Sequence, residues 1–144
     1  MKYISNSDND TQNIAMDFAK TLNNSSVIVL TGDLGTGKTR FVQGIAKYFN
    51  LENKVCSPTF TIVNEYINNE NNINIYHFDV YRLSDSTDFI ESVGTEYFGK
   101  GICILEWGEQ IKDVLPTSTI YVTITKDLDK GENYREIEIK EGEN

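Results

Sequence analysis

Residues Gly32-Asp33-Leu34-Gly35-Thr36-Gly37-Lys38-Thr39 carry the spacing G-x-x-x-x-G-K-[ST]. Each residue type in that spacing has a chemical job. The glycines let the backbone close around phosphate oxygens. Lys38 supplies a cation for the β- and γ-phosphates, and the Thr39 hydroxyl supplies a ligand for Mg²⁺. The stretch from Asp33 through Leu34, Gly35, Thr36, Gly37, Lys38 and Thr39 to Arg40 is therefore the expected nucleotide-binding segment. A phosphate site of this kind also needs an acid to hold the metal, directly or through water. Asp79 ends the run Ile75-Tyr76-His77-Phe78, and Glu106 ends Ile102-Cys103-Ile104-Leu105. Ligands of open α/β sheets gather at the carboxyl ends of strands, so both acids are candidates for metal binding and catalysis. The alternative for each is an ordinary solvated acid at a strand end.

Three further positions invite chemistry. Thr59 follows Pro58 on a stiffened turn, where a hydroxyl can meet the γ-phosphate or the metal and report nucleotide state. A plain turn-forming Ser/Thr pair explains it equally well. Trp107 directly follows Glu106 and is suited either to cover a nucleotide or to fill the core. Arg82 is suited to phosphate or to a structural ion pair. Some patterns are absent. After Asp79 comes Val80-Tyr81-Arg82 rather than the D-x-x-G of a GTPase switch. Asn53-Lys54-Val55-Cys56 lacks the last acid of N-K-x-D, which disfavours GTP.

These residues must be positioned by elements. Val27-Ile28-Val29-Leu30 reads as a strand (26–30) leading into the glycine loop. Phe41, Ile45 and Phe49 at i, i+4, i+8 read as a helix (38–49) leaving it. This strand–loop–helix order points backbone N–H groups and a positive helix end at an anion. Ile14, Phe18 and Leu22 predict a helix over 8–22, capped by Ser7 or Asp8. Phe60–Ile67 and Ile73–Val80 flank a polar turn and read as a hairpin. A short helix is expected over Asp85–Ser92, with a turn at Thr95–Phe98. Gly101–Leu105 reads as a buried central strand. The segments 119–125 and 135–140 alternate apolar and polar residues, as a half-exposed antiparallel pair does. The expected architecture is α/β and P-loop NTPase-like: a central mixed sheet flanked by helices, with antiparallel strands added at the edge.

The chain has 144 residues, suited to one domain spanning 1–144, and a formal net charge of −9. An acidic chain repels nucleic-acid phosphate, so contact with nucleic acid is expected only through a partner or one local patch. Two cysteines lie far apart, with no C-x-x-C spacing, and His77 is the lone histidine. Both thiols read as small buried hydrophobes, and no histidine–cysteine metal site is expected. No apolar leader opens the sequence and no run is long enough to span a membrane, so a cytoplasmic protein is expected.

Taken together the motifs resemble one family. The phosphate loop, Ser57-Pro58-Thr59-Phe60-Thr61, Asn64-Glu65-Tyr66, His77-Phe78-Asp79-Val80-Tyr81-Arg82-Leu83, Glu96-Tyr97-Phe98 and Ile104-Leu105-Glu106-Trp107 follow the order and spacing of TsaE (YjeE) proteins, across about residues 10 to 140. These are small bacterial ATPases needed for the threonylcarbamoyladenosine modification of tRNA. The resemblance implies ATP and Mg²⁺ as cofactors, with Lys38 and Thr39 on phosphate and metal. It puts Thr59 and Asp79 along the metal and γ-phosphate, and Glu106 and Trp107 beside the nucleotide in the motif tied to hydrolysis. It implies TsaD and TsaB as partners, with tRNA met only through that complex. Two departures stand out. Gly108 follows the Glu-Trp pair where proline is frequent. Gly131 and Arg135 are separated where many members have a Gly-Arg pair, so no nucleotide role is carried over to Arg135. Two other functions compete with an accessory ATPase. One is a small-molecule kinase, for which the chain is short and lacks an Arg-rich lid. The other is a nucleotide-dependent binding module with negligible turnover.

Overall fold

A computed structural model of the chain describes residues 1–32, 36–51, 55–56, 63–68, 72–79, 96–106 and 108–142. Eight strands form one sheet: β1 (Lys2–Ser5), β2 (Val27–Gly32), β3 (Val55–Cys56), β4 (Val63–Asn68), β5 (Ile73–Asp79), β6 (Ile102–Glu106), β7 (Ile120–Lys126) and β8 (Arg135–Glu141). Their spatial order is β1-β8-β7-β2-β6-β5-β4-β3. The inner four, β7-β2-β6-β5, run parallel, and antiparallel strands extend the sheet on both sides. The expected mixed sheet with antiparallel additions is thus the observed one, and both expected antiparallel pairs are present.

The inner strands read as near-continuous apolar runs because both of their faces are covered. Alternate residues of each strand enter different cores. Ile28, Leu30, Ile75, Ile102, Ile104, Val122 and Ile124 pack under α1 (Asp8–Ala19) and α2 (Lys38–Tyr48), with Ala15, Phe41 and Ile45 from the helices. Val27, Tyr76, Phe78, Cys103 and Leu105 pack on the other face against Tyr97, Phe98 and Ile111. Ile111 sits at a kink within the 3-10 stretch Gly108–Val114. Full burial of each large apolar side chain contributes about 1.5–3 kcal/mol. No helix among the described residues is long and apolar enough to cross a membrane.

The helices start where the sequence indicates. The Ser7 side chain accepts from the Asp10 N–H and caps α1. That helix stops at Ala19 rather than Leu22. The Thr21 hydroxyl donates to the Phe18 carbonyl, and Lys20 and Thr21 close tighter turns back to Asp17 and Phe18. A hydroxyl near a helix end offers the backbone such an alternative. Leu22 is buried all the same. The close crossing of α1 and α2 depends on Gly44, where a Cβ would lie 2.6 Å from the Gln12 carbonyl and 2.7 Å from the Ala15 methyl. The β1 strand, which the sequence pattern does not reveal, is four residues long and, among the described residues, pairs only with β8. The helix expected over Asp85–Ser92 lies outside the described residues. Glu96 and Tyr97 form the expected turn, and Phe98 bridges to Gly101.

Candidate functional site

The parallel register brings the strand ends together. Leu30 of β2 and Asp79 of β5 both stand opposite Glu106 of β6, and β2 continues through Gly32 into the glycine loop. Gly37 then caps α2 at φ +100°, a left-handed conformation that glycine adopts without a Cβ penalty. The two helix starts differ sharply. Ser7 caps α1, and Asp8 and Asp10 occupy its first turn. The start of α2 has no side-chain cap and no acid in its first turn, but carries Lys38. A helix start left in that state presents N–H groups and a partial positive charge to an anion. Thr39, in the same turn, is exposed. An exposed hydroxyl on Thr39 and a carboxylate on Glu106, which contacts Lys38 of the same helical turn, are the hard oxygen donors that Mg²⁺ prefers, so the donor types fit a magnesium-bound triphosphate.

Glu106 lies at the centre of the described site. Its Oε1 is 3.4 Å from the Lys38 ammonium, and its Oε2 is 2.7 Å from His77 Nε2. The side chains of Lys38, His77 and Glu106 are 12%, 12% and 16% exposed, so solvent screens these contacts weakly. Burial pushes the Glu106 carboxyl up. The hydrogen bond and charge of His77, then Lys38, outweigh that push and hold the group below the usual carboxylate range. The carboxylate is therefore ionised and placed to accept from both neighbours. Burial also pushes the Cys103 thiol up to about 12, consistent with the inert buried cysteine expected there.

The loop is tied down from a distant part of the chain. Arg135, the first residue of β8, donates from Nε to the Thr36 carbonyl at 3.0 Å. Its Nη1 donates to the carbonyls of Glu132 at 3.0 Å and Tyr134 at 2.8 Å. Thr36 is buried, and a Cβ at Gly32 would come within 2.6 Å of its Oγ1. The guanidinium thus joins the phosphate loop to the β7–β8 hairpin.

Of the expected site residues, Thr36 lies beside Gly32 at the end of β2, Gly37 caps α2, Lys38 of its first turn meets Glu106 at the end of β6, and Thr39 is exposed in that same turn. Asp79 is placed there by its backbone, opposite Glu106. The Arg40 side chain contacts Asp8 at 3.4 Å and donates to the Gln43 side chain at 3.0 Å, on the α1 side of the helix. Asp33, Leu34, Gly35, Thr59, Arg82 and Trp107 lie outside the described residues. Two contributors were missed in the sequence. As a lone histidine His77 suggests no metal site in the sequence, yet it stands two residues before the strand position paired with Glu106. Arg135 carries no motif signal in the sequence, because Gly131 and Arg135 are not adjacent.

Residues 5–137 match the family model described as "Threonylcarbamoyl adenosine biosynthesis protein TsaE". Curated proteins named "tRNA threonylcarbamoyladenosine biosynthesis protein TsaE" are similar over most of their length. That of Treponema pallidum is 36% identical over 125 residues, covering 86% of this chain and 90% of the relative. That of Rickettsia bellii is 40% identical over 122 residues, covering 84% and 83%. That of Bacillus subtilis is 39% identical over 130 residues, covering 89% and 77%. Among solved structures, the crystal structure of Bacillus subtilis YdiB matches with a TM-score of 0.75 and 29% identity, covering 99% of this chain and 84% of that one.

Proposed function

This chain belongs to the TsaE family of tRNA threonylcarbamoyladenosine biosynthesis proteins, and from that premise we propose that it is a Mg²⁺-dependent ATPase supporting the TsaD–TsaB complex. One observation carries the reading: a lysine at an acid-free, side-chain-uncapped helix start, next to an ionised carboxylate at a neighbouring strand end. The N–H groups of α2 and Lys38 bind the triphosphate, and the Thr39 hydroxyl holds the metal, with the Asp79 carboxylate serving the metal's water shell. Magnesium, when bound, neutralises charge on the phosphates. Glu106 orients the attacking water, because Lys38 and His77 keep it charged and fixed. Thr59 enters from its sequence position alone, as the hydroxyl that senses the γ-phosphate. Hydrolysis by the isolated chain is slow, and TsaD and TsaB read its nucleotide state; tRNA is met only through them.

The test has two parts. Calorimetry with Mg-ATP on Lys38→Ala should show binding strongly weakened, and phosphate release should fall with it; wild-type affinity together with unchanged turnover would refute the site. A pull-down with TsaB and TsaD in ATP, in ADP and without nucleotide should show capture that depends on the nucleotide. Equal capture in all three would remove the switching role, since a nucleotide shifts only equilibria whose states it binds unequally.

A further inference from the structure

We propose that His77 is a positioning residue for Glu106, holding the carboxylate in its reactive orientation after Lys38 has turned to the phosphates. The inference rests on the water-orienting role given to Glu106 above. Among the described residues two groups hold Glu106, one on each oxygen. They are not equivalent. Lys38 is the cation that a triphosphate recruits, so its 3.4 Å contact with Oε1 weakens when nucleotide binds. The 2.7 Å contact between His77 Nε2 and Oε2 involves no group assigned to the phosphates. His77 is fixed by its strand: β5 and β6 pair in parallel with His77 opposite Ile104 and Asp79 opposite Glu106. Its neighbours in the strand, Tyr76 and Phe78, are buried in the opposite core. The imidazole is therefore carried on rigid backbone, on the face where Glu106 stands. A carboxylate held on one oxygen keeps the other oxygen available for water. Without His77, Glu106 would rotate, or follow Lys38 toward the phosphates, and lose that geometry.

The experiment compares His77→Ala, His77→Gln, Glu106→Gln and the double variant His77→Ala/Glu106→Gln. Single-turnover hydrolysis and Mg-ATP affinity are measured on the intact chain, with thermal melting to verify folding. Glutamine puts an amide N–H near the position of the imidazole Nε2, so it is the conservative replacement. His77→Ala should lower the hydrolysis rate at least about tenfold, the equivalent of about 1.4 kcal/mol, while affinity changes by less than about threefold. His77→Gln should recover most of the rate. The double variant should be no slower than Glu106→Gln, because groups that act as a unit are non-additive. In the ligand-free protein, the His77 Nε2–H resonance should be sharp and downfield, and should move upfield in Glu106→Gln. A full rate in His77→Ala alongside a crippled Glu106→Gln overturns the proposal for His77 and leaves the reading of Glu106 standing. A full rate in Glu106→Gln overturns both. Additive losses in the double variant, or a His77→Gln no better than His77→Ala, assign His77 to folding instead.

Discussion

Replacing Glu106 by glutamine should change nucleotide affinity and turnover in opposite directions. Lys38 lies 3.4 Å from Glu106 Oε1. At an effective dielectric constant of about 20, that separation corresponds to about 5 kcal/mol of gross attraction. Most of it returns when the ammonium moves to phosphate, and the desolvation already incurred by both groups reduces the rest. A net cost of about 1 kcal/mol remains, in the range of a single hydrogen bond. Glutamine keeps the shape of the side chain and removes the charge. It releases Lys38 from the Glu106 charge and removes a negative group facing the incoming phosphates, so Kd for Mg-ATP should fall about three- to tenfold. Turnover should fall by about 10² or more, since a neutral amide cannot act as a base toward water. The assay is isothermal calorimetry with Mg-ATP, paired with phosphate release at saturating nucleotide. If Glu106→Gln binds Mg-ATP more weakly than wild type, Glu106 is holding the metal and the division of labour with Asp79 is refuted. If neither quantity changes, Glu106 has no part in the site.

Other expected outcomes follow from the same geometry. Arg135→Ala removes three hydrogen bonds to carbonyls, one of them in the phosphate loop. Nucleotide affinity should drop about three- to tenfold, and Arg135→Lys should not restore it, because lysine lacks the planar fork; titration with a fluorescent nucleotide is the measurement. Gly44→Val forces side-chain carbons into the Gln12 carbonyl and the Ala15 methyl, and should cost about 1–3 kcal/mol, seen as a Tm lower by about 3–10 °C. Acid should weaken the ligand-free protein through Glu106. Its folded-state pKa lies below the unfolded one, so its stabilisation is complete above the unfolded value and disappears as pH falls through the folded value. Urea titrations across that range should show wild type losing stability relative to Glu106→Gln; a constant gap would mean that the His77 and Lys38 contacts do not hold the carboxylate charged.

The parts of this fold that were legible in the sequence are those in which one local pattern has one structural outcome. Val27–Leu30 and Ile102–Leu105 are short uninterrupted apolar runs rich in β-branched residues, which suit a strand covered on both faces. Phe41 and Ile45 recur with the helical period and are fully buried under α2. Ser7 offers a cap three residues before the amide that uses it. Where elements begin or end through competition between weak partners, the pattern says less. Leu22 keeps the apolar period of α1 and stays buried, yet Thr21 has already diverted the backbone. The β1 strand has too few residues for any periodicity, and only its register with β8 makes it a strand.

The candidate site divides along the same line. Its phosphate half lies within eight consecutive residues, so spacing alone reveals it. Its acid half depends on which strands are neighbours, and strand order does not follow chain order. Once β5 lies beside β6, His77 and Glu106, 29 residues apart, meet at 2.7 Å. Once β8 runs antiparallel to β7, Arg135 returns to the loop end of the sheet and reaches Thr36, 99 residues away. Both residues bear on loop or carboxylate geometry rather than on any recognisable motif. A histidine without a cysteine or second histidine resembles a failed metal site, and an arginine apart from its glycine resembles a broken motif, until the sheet places each against its partner. The phosphate loop is thus held from two directions. The β5–β6 pair aims Glu106 at Lys38, and the β7–β8 hairpin fixes the Thr36 carbonyl just before α2 begins. A sequence change in either strand pair can therefore alter nucleotide handling while leaving all eight residues of the loop motif intact.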